Sequence, residues 1–202
     1  MRIILSDFIS LDGVVQAPGG KKEDTDGGFE HGGWSMRYFD PESMGPVTDE
    51  VMGGTEALLF GRRTWDVMAG AWPGRAGDPF ADRMNAIRKY VVSRTLSAED
   101  ASSGWNNTTL LGGGDGDAIE AIRSLRASGG GAAMQVMGSA SLARQLVEND
   151  LVDEYLLMLE PILLGGGKTI FPADAQARPL ELVSVTQAKT GVLICAYRPA
   201  GT

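Results

Sequence analysis

The sequence predicts an α/β fold with a mixed, mostly parallel sheet. Short apolar runs of the kind found in buried strands alternate with segments of helical period through most of the 202 residues. This alternation is typical of a sheet covered by helices. The last two strand-like runs are separated only by residues 187–191, which show no helical pattern. We therefore expect these two runs to form a C-terminal antiparallel hairpin.

Eight segments are predicted as strands because they are short, apolar and rich in β-branched residues. They are residues 3–9, 57–60, 89–93, 109–111, 133–137, 152–159, 180–186 and 191–198. In the first of them Ser6 and Asp7 interrupt the apolar residues, which leaves a stretch too short for a signal-peptide core or a membrane span. We therefore expect a cytoplasmic protein that does not bind membranes.

Three helices are predicted from a capping residue that is followed by an apolar stripe at helical spacing. The first is marked by Asp78 and by Pro79 in its first turn, the second follows Asp117, and the third begins within residues 139–141. Residues 112–116, before the second helix, are predicted to form a glycine-rich turn. The residues of the three stripes are Phe80, Met84, Ile87, Ile119, Ile122, Leu125, Leu142, Leu146 and Val147.

Composition excludes several classes of function. Eighteen basic against twenty-six acidic residues give a formal charge of −8, which argues against the broad basic surface that nucleic-acid binding requires. The single cysteine, Cys195, cannot form an intramolecular disulfide, and the single histidine, His31, cannot form a multi-histidine metal site. No break in composition divides the chain, so we expect residues 1–202 to form one domain without a metal.

Residues 16–42 form the longest segment without a clear period, and they are rich in glycine. Loops of this length are usually functional or disordered. The segment contains Phe29, Trp34, Tyr38 and Phe39, which favours a loop that packs over a binding site, although a solvated insertion is an equal alternative. As a lid, the segment would cover a substrate with Trp34 and Tyr38.

Two glycine-containing motifs differ in how strongly they indicate a phosphate-binding site. Residues 165–169 resemble the end of a phosphate-binding P-loop, but Ile162 stands where that motif requires a glycine. Residues 138–142 instead lead from a buried strand through small side chains into an amphipathic helix. The free amides and the positive dipole end of such a helix favour an anion. An ordinary capped helix without a ligand is the alternative.

Basic and hydroxyl side chains follow two other predicted strands. Arg62, Arg63 and Thr64 come directly after residues 57–60 and begin a helix-like stretch, and Ser93 and Arg94 end the next strand. Guanidinium groups suit phosphate oxygens, so these side chains would let an acidic protein hold an anionic cofactor locally. Surface arginines without a ligand are the alternative.

Taken in order along the chain, these motifs resemble the dihydrofolate reductase-like superfamily. Within it they are most similar to the reductase (C-terminal) domain of the riboflavin-biosynthesis deaminase-reductase. The resemblance extends over nearly the whole chain, and its order is more specific than any single motif. The matching segments are residues 10–13, 61–65, 89–96, 138–142, 151–155 and 160–172.

The resemblance implies a three-layer α/β/α fold, bound NADPH and hydride transfer to a C=N or C=O bond of a small heterocycle. It also implies a cis peptide between Gly138 and Ser139 and, as in similar proteins, a two-fold homodimer. It places one set of residues at the cofactor: Gly61, Arg62 and Thr64 at its phosphates, Ser93 and Arg94 near the adenosine 2′-phosphate, and Gly138, Ser139, Ala140, Ser141 and Leu142 at the pyrophosphate and the nicotinamide edge.

The residues that read the substrate depart from the riboflavin enzyme. Met137 stands where that enzyme has an acidic residue, and its Asp-Asn-Pro stretch has no counterpart after Thr64. Pyrimidine-like and pterin-like substrates both remain open. For catalysis we consider Asp12, which follows a strand and would orient the substrate or relay a proton, with a purely turn-forming role as the alternative. Asp49 is a loose positional match to the pterin-binding carboxylate of the superfamily.

Two functions follow as hypotheses. The first is an NADPH-dependent oxidoreductase that acts on a small-molecule substrate. The second is a non-catalytic NADP(H)-binding or regulatory protein with the same fold, since a fold alone does not establish activity.

Overall fold

The computed structural model describes residues 1–75, 77–113 and 116–201. The strands are β1 (Arg2–Ser10), β2 (Thr55–Gly61), β3 (Arg88–Val92), β4 (Thr108–Leu111), β5 (Ala133–Val136), β6 (Glu154–Glu160), β7 (Leu180–Gln187) and β8 (Leu193–Pro199). All eight predicted strands are confirmed, and their ends differ from the prediction by at most two residues.

The strands form one sheet in the order β4-β3-β2-β5-β1-β6-β8-β7. The pairs from β4 to β6 are parallel. Strand β8 runs antiparallel to both β6 and β7, so the expected C-terminal hairpin is confirmed. Strand β7 lies at an edge of the sheet, and all eight of its residues are exposed.

The helices are α1 (Pro41–Gly53), α2 (Arg62–Ala71), α3 (Pro79–Ala86), α4 (Ala98–Gly104), α5 (Ala118–Ser128) and α6 (Ala140–Glu148). Asp78 and Asp117 cap α3 and α5 by accepting backbone N–H bonds, as their positions predict. Helices α1 and α4 were not predicted. In α1 the internal Gly45 and Pro46 obscure the helical period.

The helices cover both faces of the sheet, which gives the expected three layers. On one face Ile122 of α5 and Leu142 and Leu146 of α6 pack against Ile3 and Leu5 of β1. On the other face α1 contributes Met44 and Met52, and α2 to α4 contribute Trp65, Met84 and Ala101. This second core includes alternate residues of β2, Leu58 and Phe60, as expected for a buried strand.

Two further expectations from the sequence concern a glycine-rich turn and membrane spans. The predicted turn at residues 112–116 includes Gly114 and Asp115, which lie outside the described residues. Among the helices that the structure describes, none is long and apolar enough to cross a membrane.

Candidate functional site

The carboxyl ends of β3, β2 and β5 lie side by side, because these three strands are neighbours in the parallel part of the sheet. The backbone N–H of Gly61, at the end of β2, donates a 3.0 Å hydrogen bond to the carbonyl of Gly138, which follows β5. The approach is so close that a Cβ atom on Gly61 would lie 2.1 Å from Oγ of Ser139. Two of the three predicted motifs are therefore in direct contact.

Gly138 has a φ of +88°, and its peptide bond to Ser139 is cis, as the family resemblance implies. A Cβ atom at Gly138 would lie 3.0 Å from Oγ1 of Thr64. Gly61, Thr64, Gly138 and Ser139 thus form one compact group. Only residues without side-chain bulk fit the two glycine positions, which leaves the backbone free to approach a ligand.

The first turn of α6 presents free backbone amides beside this group. Ser139 is the N-cap residue, but its side chain makes no capping hydrogen bond within the described structure; instead its Oγ lies 3.1 Å from Oγ of Ser141. Ala140 is half-buried, and the side chain of Leu142 is buried in the core. Leu142 therefore has only its backbone to offer a ligand, and the turn as a whole is suited to an anion.

The two arginines that follow β2 have different surroundings. Nε of Arg62 donates to both carboxylate oxygens of Asp66, at 2.9 and 2.8 Å, and its guanidinium lies 5.8 Å from the ring centre of Trp65. Arg62 is thereby held at the start of α2 and half-exposed. Arg63 forms ion pairs with Asp24, at 2.6 Å, and with Asp26. Arg63 therefore has its partners in the segment 16–42, and phosphate binding by the two guanidiniums stays a prediction.

At the end of β3, Ser93 shapes the chain that carries Arg94. Its buried Oγ accepts hydrogen bonds from the backbone N–H groups of Thr95, at 3.1 Å, and Leu96, at 3.0 Å. Arg94 itself is exposed. Because Val92 pairs with Gly61, this turn lies next to the start of α2. The position fits the predicted third part of a cofactor site.

The segment 16–42 is ordered and packs on the protein. Nε1 of Trp34 donates a 2.8 Å hydrogen bond to the carbonyl of Gln16, and the hydroxyl of Tyr38 donates one of 3.4 Å to the carbonyl of Pro161. Both rings are buried. These contacts anchor the segment and account for both aromatic residues without a ligand, so contact of Trp34 or Tyr38 with a substrate stays a prediction.

A cluster of charges ties this segment to two other parts of the chain. Nζ of Lys168 and the guanidinium of Arg63 both bind the carboxylates of Asp24 and Asp26. Hydrogen bonds, first from Arg63 and then from Lys168, lower the pKa of Asp26 to about 2. Lys168, the lysine of the P-loop-like motif, thus has acidic side chains as its partners. The cluster joins the segment to α2 and to the loop after β6.

Asp12 lies in the turn after β1, and both oxygens of its carboxylate accept hydrogen bonds. Oδ1 accepts a 2.6 Å bond from the Ser10 hydroxyl, and Oδ2 accepts backbone N–H bonds from Leu164, at 3.1 Å, and Gly165, at 2.7 Å. The bond from Ser10 is the main cause that lowers the pKa of Asp12. This geometry favours the turn-forming alternative over a proton relay, because an ionised, fully bonded carboxylate has no proton to give.

The structure corrects the assignment of Asp49 to the site. Asp49 is exposed and lies near the C-terminal end of α1, because that helix already begins at Pro41 under the cap of Asp40. The end of α1 leads into Thr55, the first residue of β2. Asp49 is therefore near the amino ends of the strands, at the edge opposite to Gly61 and Gly138.

A cavity of about 520 Å³ lies between the segment 16–42 and the loop after β6. Its floor includes Gln16, which donates to the carbonyls of Asp24 and Asp26 and accepts from the N–H of Lys168. His31 also lines the cavity, next to Phe29 at 5.6 Å between ring centres. The sequence alone did not place His31 at this cavity, because its position depends on how the long segment folds.

Two carboxyl groups, each with one oxygen that is buried and unpaired among the described residues, escaped the sequence analysis. Oδ2 of Asp7 and Oε2 of Glu160 are buried without a hydrogen-bond partner in the described structure. Burial is the main cause that raises the pKa of Asp7 to about 8 and that of Glu160 to about 7. Oε1 of Glu160 accepts a 2.6 Å bond from the Ser35 hydroxyl. An acidic residue inside an apolar strand is the signal by which the sequence analysis could have found Asp7.

Comparison with known proteins agrees with this architecture. A curated relative, the uncharacterized protein YyaP of Bacillus subtilis (strain 168), is 28% identical over 201 residues, which cover 97% of this chain and 94% of YyaP. A putative riboflavin biosynthesis protein from Shewanella sp. PV-4 matches in structure with a TM-score of 0.72 and 19% identity, over 98% of this chain and 99% of that one.

Two further solved structures share the fold. A pyrimidine reductase-like protein from Corynebacterium diphtheriae has a TM-score of 0.67 at 12% identity and covers 100% of this chain and 92% of its own. A deaminase/5-amino-6-(5-phosphoribosylamino)uracil reductase from Thermotoga maritima has a TM-score of 0.64 at 13% identity, and the match spans 98% of this chain but 56% of that longer protein. The family model of the RibD C-terminal domain matches residues 2–194. The chain therefore belongs to the RibD C-terminal domain family.

Proposed function

We propose that this protein is an NADPH-dependent reductase that adds hydride to a C=N or C=O bond of a small pyrimidine- or pterin-like heterocycle. The observation that carries the proposal is the contact between Gly61 and Gly138–Ser139. There the backbone forms a cradle in which a Cβ atom on Gly61 would collide with Ser139. The cradle opens onto the amides at the start of α6, where a pyrophosphate would be stabilised.

The residues present fit this cofactor. Three elements offer phosphate ligands at adjacent strand ends: Arg62 and Thr64 at α2, Arg94 after β3, and the first turn of α6. In a chain with a net charge of −8, such a local group of donors is what an anionic dinucleotide requires. Two of the proteins that share the fold are a pyrimidine reductase-like protein and a uracil reductase, which supports the proposed substrate class.

The protein's own part in the reaction is to position the substrate and to exclude water. NADPH, when bound, supplies the hydride, and the chain holds the acceptor carbon close to the nicotinamide and keeps the site dry. We place the heterocycle at the carboxyl end of β1, beside Gly138. The segment 16–42, held down by Trp34 and by the charge cluster of Asp24, Asp26, Arg63 and Lys168, closes this end from solvent.

A non-catalytic NADP(H)-binding protein is the second candidate, and Met137 favours it. This residue stands where the riboflavin enzyme has an acidic group, and its side chain packs against the apolar core that contains Trp65 and Phe60. Loss of nicotinamide absorbance with a panel of pterins, pyrimidine ribosylamines and imines separates the two candidates. Turnover of any panel member supports the reductase, and tight NADPH binding without turnover supports the second candidate. The predicted homodimer stays a prediction.

A further inference from the structure

Asp7 places a carboxyl group on β1, the strand at whose carboxyl end we place the heterocycle. Strand β1 lies between β5 and β6. Leu5 pairs with Val136, the last residue of β5, and Asp7 pairs with Leu157 of β6. Asp7 is thus two residues beyond the end of β5, level with the place where the chain turns through Gly138. Ligands of open α/β sheets bind in the crevice at this edge.

Within the part of the chain that the structure describes, the surroundings of Asp7 leave one of its carboxyl oxygens without a hydrogen-bond partner. Its neighbours of the same parity on β1, Leu5 and Ile9, are packed in the core beneath α6. Oδ2 of Asp7 is buried, and no group in the described ranges donates to it or accepts from it. The charged group that acts on it is the carboxylate of Glu23, whose Oε2 is held by the backbone N–H groups of Gly19 and Gly20.

These surroundings keep the carboxyl protonated at neutral pH. Burial, and then the negative charge of Glu23, raise the pKa of Asp7 to about 8. A neutral carboxyl is a hydrogen-bond donor as well as an acceptor. A buried polar atom without a partner costs about 1–3 kcal/mol, and unpaired groups of this kind are concentrated where a ligand or a reaction completes them.

We propose that the carboxyl group of Asp7 faces the heterocycle and donates the proton that completes its reduction. The inference rests on the proposed function and names the residue that function lacks. Asp12 does not meet the requirement because its carboxylate is ionised and bonded to Ser10, Leu164 and Gly165. Glu160 lies on the opposite face of the sheet, where Leu156 and Met158 of the same parity pack with α1.

The step balances with the groups named. A C=N acceptor gains hydride, with its electron pair, at carbon from bound NADPH, and gains a proton at nitrogen from Asp7. A new C–H and a new N–H bond form, and the C=N π bond, the O–H bond of Asp7 and the C–H bond of NADPH that carries the hydride break, so that NADP⁺ remains. The carboxylate of Asp7 then takes a proton from solvent once the product has left. The raised pKa makes this return favourable at neutral pH.

Infrared spectroscopy and binding test the inference together. In the wild type at neutral pH we expect a protonated-carboxyl band that Asp7→Asn removes and Glu160→Gln does not. We expect this band to shift when NADPH and 5,6-diaminouracil are added. Asp7→Asn should bind NADPH within about twofold of the wild type, whereas turnover with any active panel member should fall about a hundredfold or more. Asp7→Ser provides the same comparison if the asparagine variant does not fold.

The outcomes separate this inference from the function on which it rests. Absence of the band, or a band that stays unshifted while nicotinamide fluorescence shows NADPH binding, overturns the role of Asp7 alone. Full turnover in Asp7→Asn or Asp7→Ser does the same. If neither NADPH nor 5,6-diaminouracil binds the wild type, the proposed function itself fails, and the inference with it. Glu160→Gln, which removes the other buried carboxyl, should keep wild-type turnover.

Discussion

Gly61 and Ser139 come so close that the protein has no room for a methyl group between them: a Cβ atom on Gly61 would lie 2.1 Å from the Ser139 hydroxyl oxygen. The two residues are 78 positions apart in sequence, and they meet because β2 and β5 are neighbours in the sheet. The contact joins the start of α2 to the start of α6. The N-termini of α2 and α6 therefore lie next to each other.

The first prediction concerns this contact. Gly61→Ala forces Ser139 and the start of α6 away from β2, so we expect the Kd for NADPH to rise at least about tenfold, or about 1.4 kcal/mol. Overpacking should also lower the free energy of unfolding by about 1–3 kcal/mol. Fluorescence titration and urea denaturation measure the two effects. Gly70→Ala, in helix α2 with open space at its Cβ position, is the control, and equal NADPH affinity in both variants would contradict the assignment.

The second prediction separates NADPH from NADH. Arg94 is exposed at the end of β3, where the family resemblance places the 2′-phosphate. Arg94→Ala should weaken NADPH about tenfold or more and leave NADH unchanged, because only NADPH carries the extra phosphate for a charge-assisted bond. Arg88→Ala removes an exposed arginine from the other end of the same strand and should change neither affinity. Equal losses for both nucleotides in Arg94→Ala would show that Arg94 does not read the phosphate.

The third prediction concerns the segment 16–42. Arg63→Ala removes the guanidinium that binds Asp24 and Asp26, so we expect backbone amides of residues 17–33 to exchange about tenfold faster with solvent. Hydrogen exchange followed by mass spectrometry measures this directly. Arg178→Ala breaks a comparable pair with Asp150 and Asp174 elsewhere and should leave these amides unchanged. Unaltered exchange in Arg63→Ala would mean that Trp34 and Tyr38 hold the segment without the charges.

The fourth prediction is a dependence of stability on pH. Burial raises the pKa of Glu160 from 4.5 to about 7, so between these values the folded protein retains a proton that the unfolded chain has released. The free energy of unfolding should therefore fall as pH rises through this window, by up to about 3 kcal/mol from this group. Glu160→Gln should remove that part of the slope, as measured by urea denaturation at several pH values. Glu181→Gln, on the exposed strand β7, should leave it intact. A slope equal to that of the wild type in Glu160→Gln would contradict the assignment.

Much of the fold followed from the sequence because its strands are short apolar runs bounded by caps and turns. The meeting of residues 61–64 with residues 138–139 also followed, since parallel strands present their carboxyl ends at one edge. Helix α1 did not follow, because Gly45 and Pro46 disturb its period, and the position of Asp49 was misjudged with it.

The individual partners of charged side chains were harder to predict. Whether Arg63 meets a ligand or Asp24 depends on where a segment about forty residues earlier folds, and no local pattern fixes that. The same holds for His31 and its cavity. Asp7 was visible in the sequence as a charge inside an apolar strand, but its unpaired oxygen appears only when β5, β6 and the loop of Glu23 are in place.

Titration of the wild-type protein with NADPH tests the central claim most directly. We expect a saturable change in nicotinamide fluorescence and a rise in melting temperature, both reduced in Gly61→Ala and in Arg94→Ala. If NADPH changes neither the fluorescence nor the melting temperature, the group formed by Gly61, Thr64, Gly138 and Ser139 is not a dinucleotide site.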